Sequence, residues 1–387
     1  MMIRFGICGL GFAGSVLMAP AMRAHPHAQV AAACDPDADL RARFGQEYGI
    51  PTYAGIDEML ASGELDAVYI ASPHQFHCEQ VLKACARGLH IIVEKPLTLS
   101  LVDAERMVQA QAAAGIELVV GASRSHDPVI RTMRHIVQSG QLGPIAMVNC
   151  INYTDWIYRP RRPEELDRSN GAGIVFNQLP HQIDCIKAIT DQRVVAVRAV
   201  TGRLSPGRPV EGHCAALLTL DGGACASLVY SGYDHFDSDE LQFWIGEGGK
   251  PKTPAQGNAR KLLRELDGAG EAALRRTRYG YGGARSNSSA ERNQPHFGVL
   301  IASCEHGDLR PSPDGVLVYG DDGVTEVPAM TGHGSYGQGD TIDELHDAIS
   351  GRAPALRNAA WGCDTVKVCL AMLRSSETGE QIMLDSL

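Results

Sequence analysis

No apolar run in the chain approaches the roughly 18 residues that a membrane-spanning helix needs, and its charge shows no basic excess. Its 387 residues carry 35 Lys plus Arg against 45 Asp plus Glu, a formal charge of −10. That balance offers no net attraction to phosphate backbones, so no nucleic-acid partner is expected. Its 11 cysteines contain no CxxC pair. Scattered through apolar, strand-like runs at Cys8, Cys34, Cys150, Cys214 and Cys225, they read as buried thiols in a reducing cytosol rather than disulfides or zinc ligands. Arg4 and the apolar stretch ending near Ala21 mimic a signal peptide, but Gly9, Gly11 and Gly14 break that stretch and fit a strand–turn–helix start better. A cytoplasmic small-molecule enzyme with no membrane partner is the expected class.

At about 150 residues per domain, the length allows two or three domains. The first 121 residues alternate β runs (Ile3–Cys8, Gln29–Cys34, Leu65–Ile70, Leu89–Val93, Glu117–Gly121) with helices (Phe12–Arg23, Asp37–Tyr48, His77–Arg87, Leu101–Ala114). Repeated βαβ units predict a doubly wound parallel sheet. From 122 to 387 the pattern becomes α+β: a helix over Val129–Ser139, then strands over Ile145–Tyr153, Val194–Val200, His213–Leu220, Cys225–Ser231, Leu241–Gly246 and Val316–Tyr319. Asp221-Gly222-Gly223 joins two of these as a hairpin, predicting an open, mostly antiparallel sheet. The Gly-, Ser- and Arg-rich stretch 248–295, with one helix at Ala259–Leu266, reads as an insertion or lid, or as a solvated surface loop. Thr341–Ile349 and Ala359–Ser375 read as closing helices.

Gly9-Leu10-Gly11-Phe12-Ala13-Gly14 matches GxGxxG directly after a strand and before a helix. Gly9 permits the tight turn, Gly11 lets a pyrophosphate approach the backbone, and Gly14 lets helix and strand pack closely. Asp35 stands at the end of the second strand, where a carboxylate binds the adenosine ribose hydroxyls. Asp35 and Asp37 would repel a 2′-phosphate, so NAD is favoured over NADP unless Arg41 or Arg43 folds back. The first domain is therefore read as a Rossmann domain.

Ala71-Ser72-Pro73-His74, then His77, follow the third strand, and Glu94-Lys95-Pro96 ends the fourth. Both segments lie at the carboxyl edge of the sheet, where such folds bind ligands. Farther on, Gly171-Ala172-Gly173 leads to Asn177 and to Pro180-His181 at a helix start. With these segments in this order, essentially the whole chain resembles the glucose-fructose oxidoreductase/inositol dehydrogenase/rhizopine-catabolism (Gfo/Idh/MocA) family. The resemblance implies NAD(P)-dependent alcohol oxidation or carbonyl reduction and assembly through sheet faces, here as a homodimer or homotetramer. It places a catalytic Lys on Lys95 and an active-site His on His181; Ser72, Pro73, His74, His77 and Glu94 join the cofactor contacts. A base must take the hydroxyl proton as hydride leaves the same carbon, and a lysine serves when burial and a neighbouring cation lower its pKa. Pro96 restricts Lys95 to an extended conformation. His181, in a first helical turn, is expected to be neutral. The chain departs from the pattern twice: Asn177 stands where the family usually has Asp, and His74 where it usually has Asn. Asn177 can orient a hydroxyl but cannot take its proton.

Tyr153, Trp156, Tyr158, Arg159, Arg161 and Arg162 precede Gly171, mixing aromatic faces with cations. That set suits a ring substrate bearing carboxylates, which arginine binds bidentately. A plain solvated loop neutralised by Glu164 and Glu165 is the alternative. The run WIYRPRRPEELD and the later QPHFGVLIASCEHGDLRPSPDGVLVY are similar to phthalate cis-dihydrodiol dehydrogenases, a subgroup that oxidises a carboxylated cyclic diol to a catechol. Other readings are a sugar or cyclitol dehydrogenase, an NAD-using glycosidase, and a non-catalytic nucleotide sensor, the last disfavoured by the presence of Lys95 and His181. His333 and Tyr336 form a loop able to reach a substrate or a second subunit.

Overall fold

The computed structural model describes residues 1–121, 124–254, 257–266, 268–281, 283, 293–332 and 337–387. His333, Tyr336 and part of the 248–295 stretch lie outside the described residues. The chain forms two compact units: Met1–Ala122 with Ala273–Ser288 and His333–Val366, and Ser123–Ala272 with Ser289–Gly332 and Lys367–Leu387. The expectation of one continuous second domain from 122 to 387 is thus corrected, because the chain returns twice to the first unit.

In the first unit, β1 (Ile3–Cys8), β2 (Ala28–Cys34), β3 (Thr52–Tyr53), β4 (Ala67–Ile70), β5 (His90–Val93) and β6 (Leu118–Val120) form a parallel sheet in the order β3-β2-β1-β4-β5-β6. Edge strand β3 was not foreseen, since its two residues are too short to show a period. Helices α1 (Ala19–Ala24), α2 (Ala38–Tyr48), α3 (Ile56–Ala61), α4 (His77–Cys85) and α5 (Leu101–Ala114) connect the strands. The expected single helix Phe12–Arg23 begins instead with a wider, π-wound stretch over Phe12–Met18. Local chemistry sets the other ends. Asp37 caps α2 by accepting from the N–H groups of Asp39 and Leu40, Ser100 caps α5, and Gly49 and Gly115 end these helices in the left-handed conformation. Ile3, Phe5, Ile7, Tyr69, Ile92 and Val119 fill the core, joined by Ile342 and Leu345 from the late helix Gln338–Ile349. Burial of each such side chain contributes about 2 kcal/mol, which is why that helix belongs to this unit.

The second unit is built on β7 (Ile145–Tyr153), β8 (Val194–Gly202), β9 (His213–Leu220), β10 (Cys225–Ser231), β11 (Val299–Cys304), β12 (Gly307–Pro311), β13 (Gly315–Gly320), β14 (Gly323–Pro328) and β15 (Ile382–Met383). Their order is β14-β13-β12-β11-β7-β10-β9-β8-β15, with β7 and β10 parallel and the other neighbours antiparallel. Alternation sorts β9 cleanly: Cys214, Ala216, Leu218 and Leu220 are buried, whereas Leu217 is exposed. Helices α6 (Pro128–Gln138), α7 (Ile174–Asn177), α8 (Leu179–Thr190), α9 (Asn258–Arg264) and α10 (Gly268–Tyr279) follow in chain order, the last crossing into the first unit at Ala273. The strand expected over Leu241–Gly246 does not form. Phe243 and Trp244 take φ of 60° and 54°, a left-handed pair that breaks an extended run. No helix among the described residues is long and apolar enough to cross a membrane.

Candidate active site

The turn after β1 is shaped by space as much as by charge. Gly9 has φ +95°, and a Cβ there would lie 2.8 Å from the Ala71 carbonyl oxygen; a Cβ on Gly14 would lie 2.0 Å from that of Gly9. Both glycines are sterically required. A Cβ on Gly11 would meet nothing within 4 Å, although the Gly11 carbonyl accepts the Ser15 hydroxyl at 2.8 Å, and no side chain caps the helix start there. Phe12 and Ala13, half-buried, begin the helix. Asp35 links this turn to the end of β2: its carboxylate accepts the Leu10 N–H at 2.8 Å and the Asp37 N–H at 2.9 Å. Arg41 does fold back, but its Nη1 donates to the carbonyls of Asp35 at 2.7 Å and Pro36 at 2.9 Å. The open glycine edge and the carboxylate at the end of β2 fit NAD: Gly9–Gly14 would hold the pyrophosphate and Asp35 the adenosine ribose.

The carboxyl ends of β4 and β5 carry the next group. The Tyr69 hydroxyl donates to Glu94 at 2.6 Å, and burial together with this carboxylate holds the phenol far above its usual pKa. Glu94 is therefore engaged with β4, a role the sequence had not indicated. Ser72 donates to Gln80 at 2.7 Å, while Pro73 is exposed. His77, read as a cofactor contact, has no exposed surface. Its Nδ1 faces the carbonyls of Pro96 (3.1 Å) and Leu97 (3.2 Å) and its Nε2 that of Ser72 (3.0 Å). A ring enclosed in this way braces the two loops it joins. One loop holds His74, with its ring 5.7 Å from that of His77; the other holds Lys95, whose peptide bond to Pro96 is cis. His74 is held well below the usual histidine pKa by burial first, then by His77 and Lys95. It is a neutral ring near a cation.

In the second unit His181 sits in the first turn of α8, behind Pro180. Its Nδ1 accepts the Arg124 backbone N–H at 3.4 Å, which in the neutral form of the ring places the proton on Nε2. The ring meets the edge of Phe297 at 5.0 Å, and the Arg124 guanidinium lies 5.6 Å from the same ring. Asn177 spends its amide nitrogen on structure, donating to the carbonyls of Gly171 and Gly173, each at 2.8 Å. This is the staple of a turn, not a group aimed by that nitrogen at a substrate.

Residues 3–122 match the oxidoreductase family with an NAD-binding Rossmann fold, and residues 130–249 match the GFO/IDH/MocA C-terminal domain. A Comamonas testosteroni protein, 1-carboxy-3-chloro-3,4-dihydroxycyclohexa-1,5-diene dehydrogenase, is 34% identical over 97% of this chain and 95% of its own. The chain belongs to the Gfo/Idh/MocA oxidoreductase family. It is an NAD-dependent dehydrogenase. A solved structure described as a dehydrogenase of Bordetella bronchiseptica RB50 superposes with a TM-score of 0.96 at 67% identity, covering 99% of this chain and 100% of that one. Inositol 2-dehydrogenase 3 of Saccharopolyspora erythraea is 29% identical over 54% of this chain and 60% of its own.

Against this family background the loop arginines divide. Arg159 pairs with Asp155 at 2.8 Å and with Glu247 at 3.4 Å, and Arg162 pairs with Glu164 and Glu165. Arg161 lays its guanidinium 4.0 Å from the centre of the buried Trp156 ring and donates to the Trp156 carbonyl at 3.0 Å. For Arg162 the neutralised-loop alternative describes the structure. Tyr153 packs edge-on against Phe236 at 5.7 Å and Tyr158 against Tyr233 at 6.5 Å. Sequence reasoning missed Arg124 and Phe297 beside His181, and Glu247 beside Arg159. Two signals were present: Asp127-Pro128 opens a helix just after Arg124, and Phe297 lies inside the QPHFGV run that carried the subgroup resemblance. Glu247 stays ionised more readily than an ordinary Glu: burial opposes its charge, but Arg159 and Arg124 outweigh that opposition.

Proposed function

We propose that this dehydrogenase oxidises a secondary alcohol of a carboxylated cyclic cis-diol, giving a catechol. The observation that carries this reading is the near full-length match to a protein named for a carboxylated dihydroxycyclohexadiene. Phe297, half-buried with His181 at its edge, supplies a flat apolar surface beside a hydrogen-bond donor, and the buried Arg124 guanidinium, paired with Asp127 at 3.3 Å, adds positive charge near its ring. Those are the groups a planar, anionic ring needs. Bound NAD supplies the hydride acceptor. Lys95 takes the hydroxyl proton, and His181 donates its Nε2 proton in a hydrogen bond to a substrate oxygen. His77 holds the Lys95 loop, and Asn177 holds the turn before His181.

A cyclitol is the second reading. It is favoured by the pairing of Arg159 and Arg162 with acidic groups. The exposed Met147, Ile151, Val200 and Leu217 on the sheet of the second unit supply an apolar face for a second copy, and the free cysteines suit a reducing cytoplasm.

A screen for NADH absorbance against carboxylated cyclohexadiene cis-diols, inositols and sugars tests the assignment. The carboxylated diols should turn over fastest, with a catechol product; faster turnover of inositols would replace the first reading with the second. Lys95→Ala should lower kcat by about a thousandfold while NAD affinity persists, within the usual range for loss of a positioned base.

A further inference from the structure

The segment 248–295 reads from sequence as an insertion or lid with one helix, or as a solvated loop; the structure adds a second helix, which reaches the nucleotide turn. Ala273–Ser288 belongs to the first unit, and Tyr279 at the end of α10 meets Phe12 edge-on, with ring centres 5.6 Å apart and planes at 78°. Phe12 is the residue directly after Gly11, at the helix start that receives the pyrophosphate. The Arg275 guanidinium lies 5.2 Å from the Tyr279 ring, so cation, phenol and Phe12 follow one another toward the turn. Two residues farther on, Tyr281 anchors the segment to α2. Its ring packs 5.5 Å from Phe44, its hydroxyl bonds Glu47, and its carbonyl accepts from Arg43 at 3.1 Å.

We propose that the C-terminal half of α10 is a clasp on bound NAD, in which Tyr279 steadies the pyrophosphate turn and Arg275 brings positive charge toward it. The turn has reason to need outside support. No side chain caps it, and the helix it opens is π-wound over Phe12–Met18, a looser winding than the α-form. An aromatic edge contact contributes on the order of a tenfold effect in an equilibrium constant. Arg275 acts at longer range on the pyrophosphate charge, so its contribution is screened by salt. With α10 in place, cofactor release requires the clasp to let go, and NADH dissociation becomes a slow step of the cycle.

The test is stopped-flow release of NADH, followed by fluorescence on chasing with excess NAD, with no substrate present. Tyr279→Ala should raise the release rate about tenfold with association little changed, and Tyr279→Phe should release NADH like the parent protein. Arg275→Gln should weaken binding about threefold at low salt and not at high salt. Should Tyr279→Ala fail to fold, Tyr279→Leu, which keeps bulk without a ring, carries the same expectation. An unchanged release rate in the folded Tyr279 variant overturns the clasp. The readout involves no substrate, so failure of the diol assignment leaves this inference standing.

Discussion

Two glycine turns lead into helices in this protein, and they differ in the space left around their glycines. At Gly9–Gly14 the backbone beside Gly11 faces open space and no side chain caps the helix. At Gly171–Gly173 the carbonyls are held by Asn177, the Ile174 N–H donates to the Glu211 carbonyl at 2.9 Å, and a Cβ on Gly173 would lie 3.0 Å from the Glu211 carboxylate. The first turn is tied down by Asp35 and Ser15 yet leaves the space beside Gly11 open for a ligand. The second spends its hydrogen-bonding capacity on folding, so that His181 is presented from a rigid base. Glycine spacing alone does not separate a binding turn from a positioning turn; the separation lies in what fills the space around each.

The largest effect that would sharpen this contrast comes from Gly14→Ala. Its Cβ would sit 2.0 Å from the Gly9 oxygen, so stability should fall by about 3 kcal/mol and NAD binding should vanish. Gly11→Ala should leave the unliganded melting temperature unchanged while NAD affinity, measured calorimetrically, drops at least tenfold, about 1.4 kcal/mol. Equal melting losses in both variants would break the comparison. At the second turn, Asn177→Asp removes two N–H donors and sets a carboxylate against two carbonyls. It should cost about 2 kcal/mol in denaturant unfolding with NAD affinity unchanged. Unaltered stability there would return Asn177 to direct contact with substrate.

Acid should produce the smallest difference. In the first unit, burial holds His74, His77, His90 and His346 below the ordinary histidine pKa, and for His346 the His27 ring stacked at 3.9 Å adds to that. The fold favours their neutral forms, so the stability they contribute is present above about pH 6.5 and is lost as pH falls below it. In the second unit His213 and His296 follow the same sign, but burial lifts Asp239 to about 6. A raised carboxylate gains stability as pH falls through that value, which offsets the histidines. Calorimetry from pH 7.5 to 5 should therefore show the first unit weakening before the second, identified by the rise of its transition on adding NAD; transitions that fall together would remove the distinction.

Much of this was legible in the residues, and the limits have physical causes. The expected strands Ile3–Cys8, Ile145–Tyr153, His213–Leu220 and Cys225–Ser231 match the observed β1, β7, β9 and β10, because burial on alternate or both faces leaves a short-range pattern. Leu241–Gly246 has comparable apolar content, yet two left-handed residues break it. His77 and His181 looked alike as polar groups near loops. One proved to be enclosed among carbonyls and the other half-exposed beside Phe297.

What the sequence by itself determined is the chemistry that resides in the local backbone: the strand–glycine turn–helix at Gly9–Gly14, the acid at Asp35, the Lys95-Pro96 strand end, and with them the dinucleotide class. These depend on a few adjacent residues and their steric limits. Tertiary structure alone decided which charges are paired with neighbours, as with Arg159 and Arg162, and which distant side chains pack against a candidate residue, as Phe297 does against His181 and Tyr279 against Phe12. Pairing and burial depend on residues far apart along the chain, and they are set only when the whole fold brings those residues together.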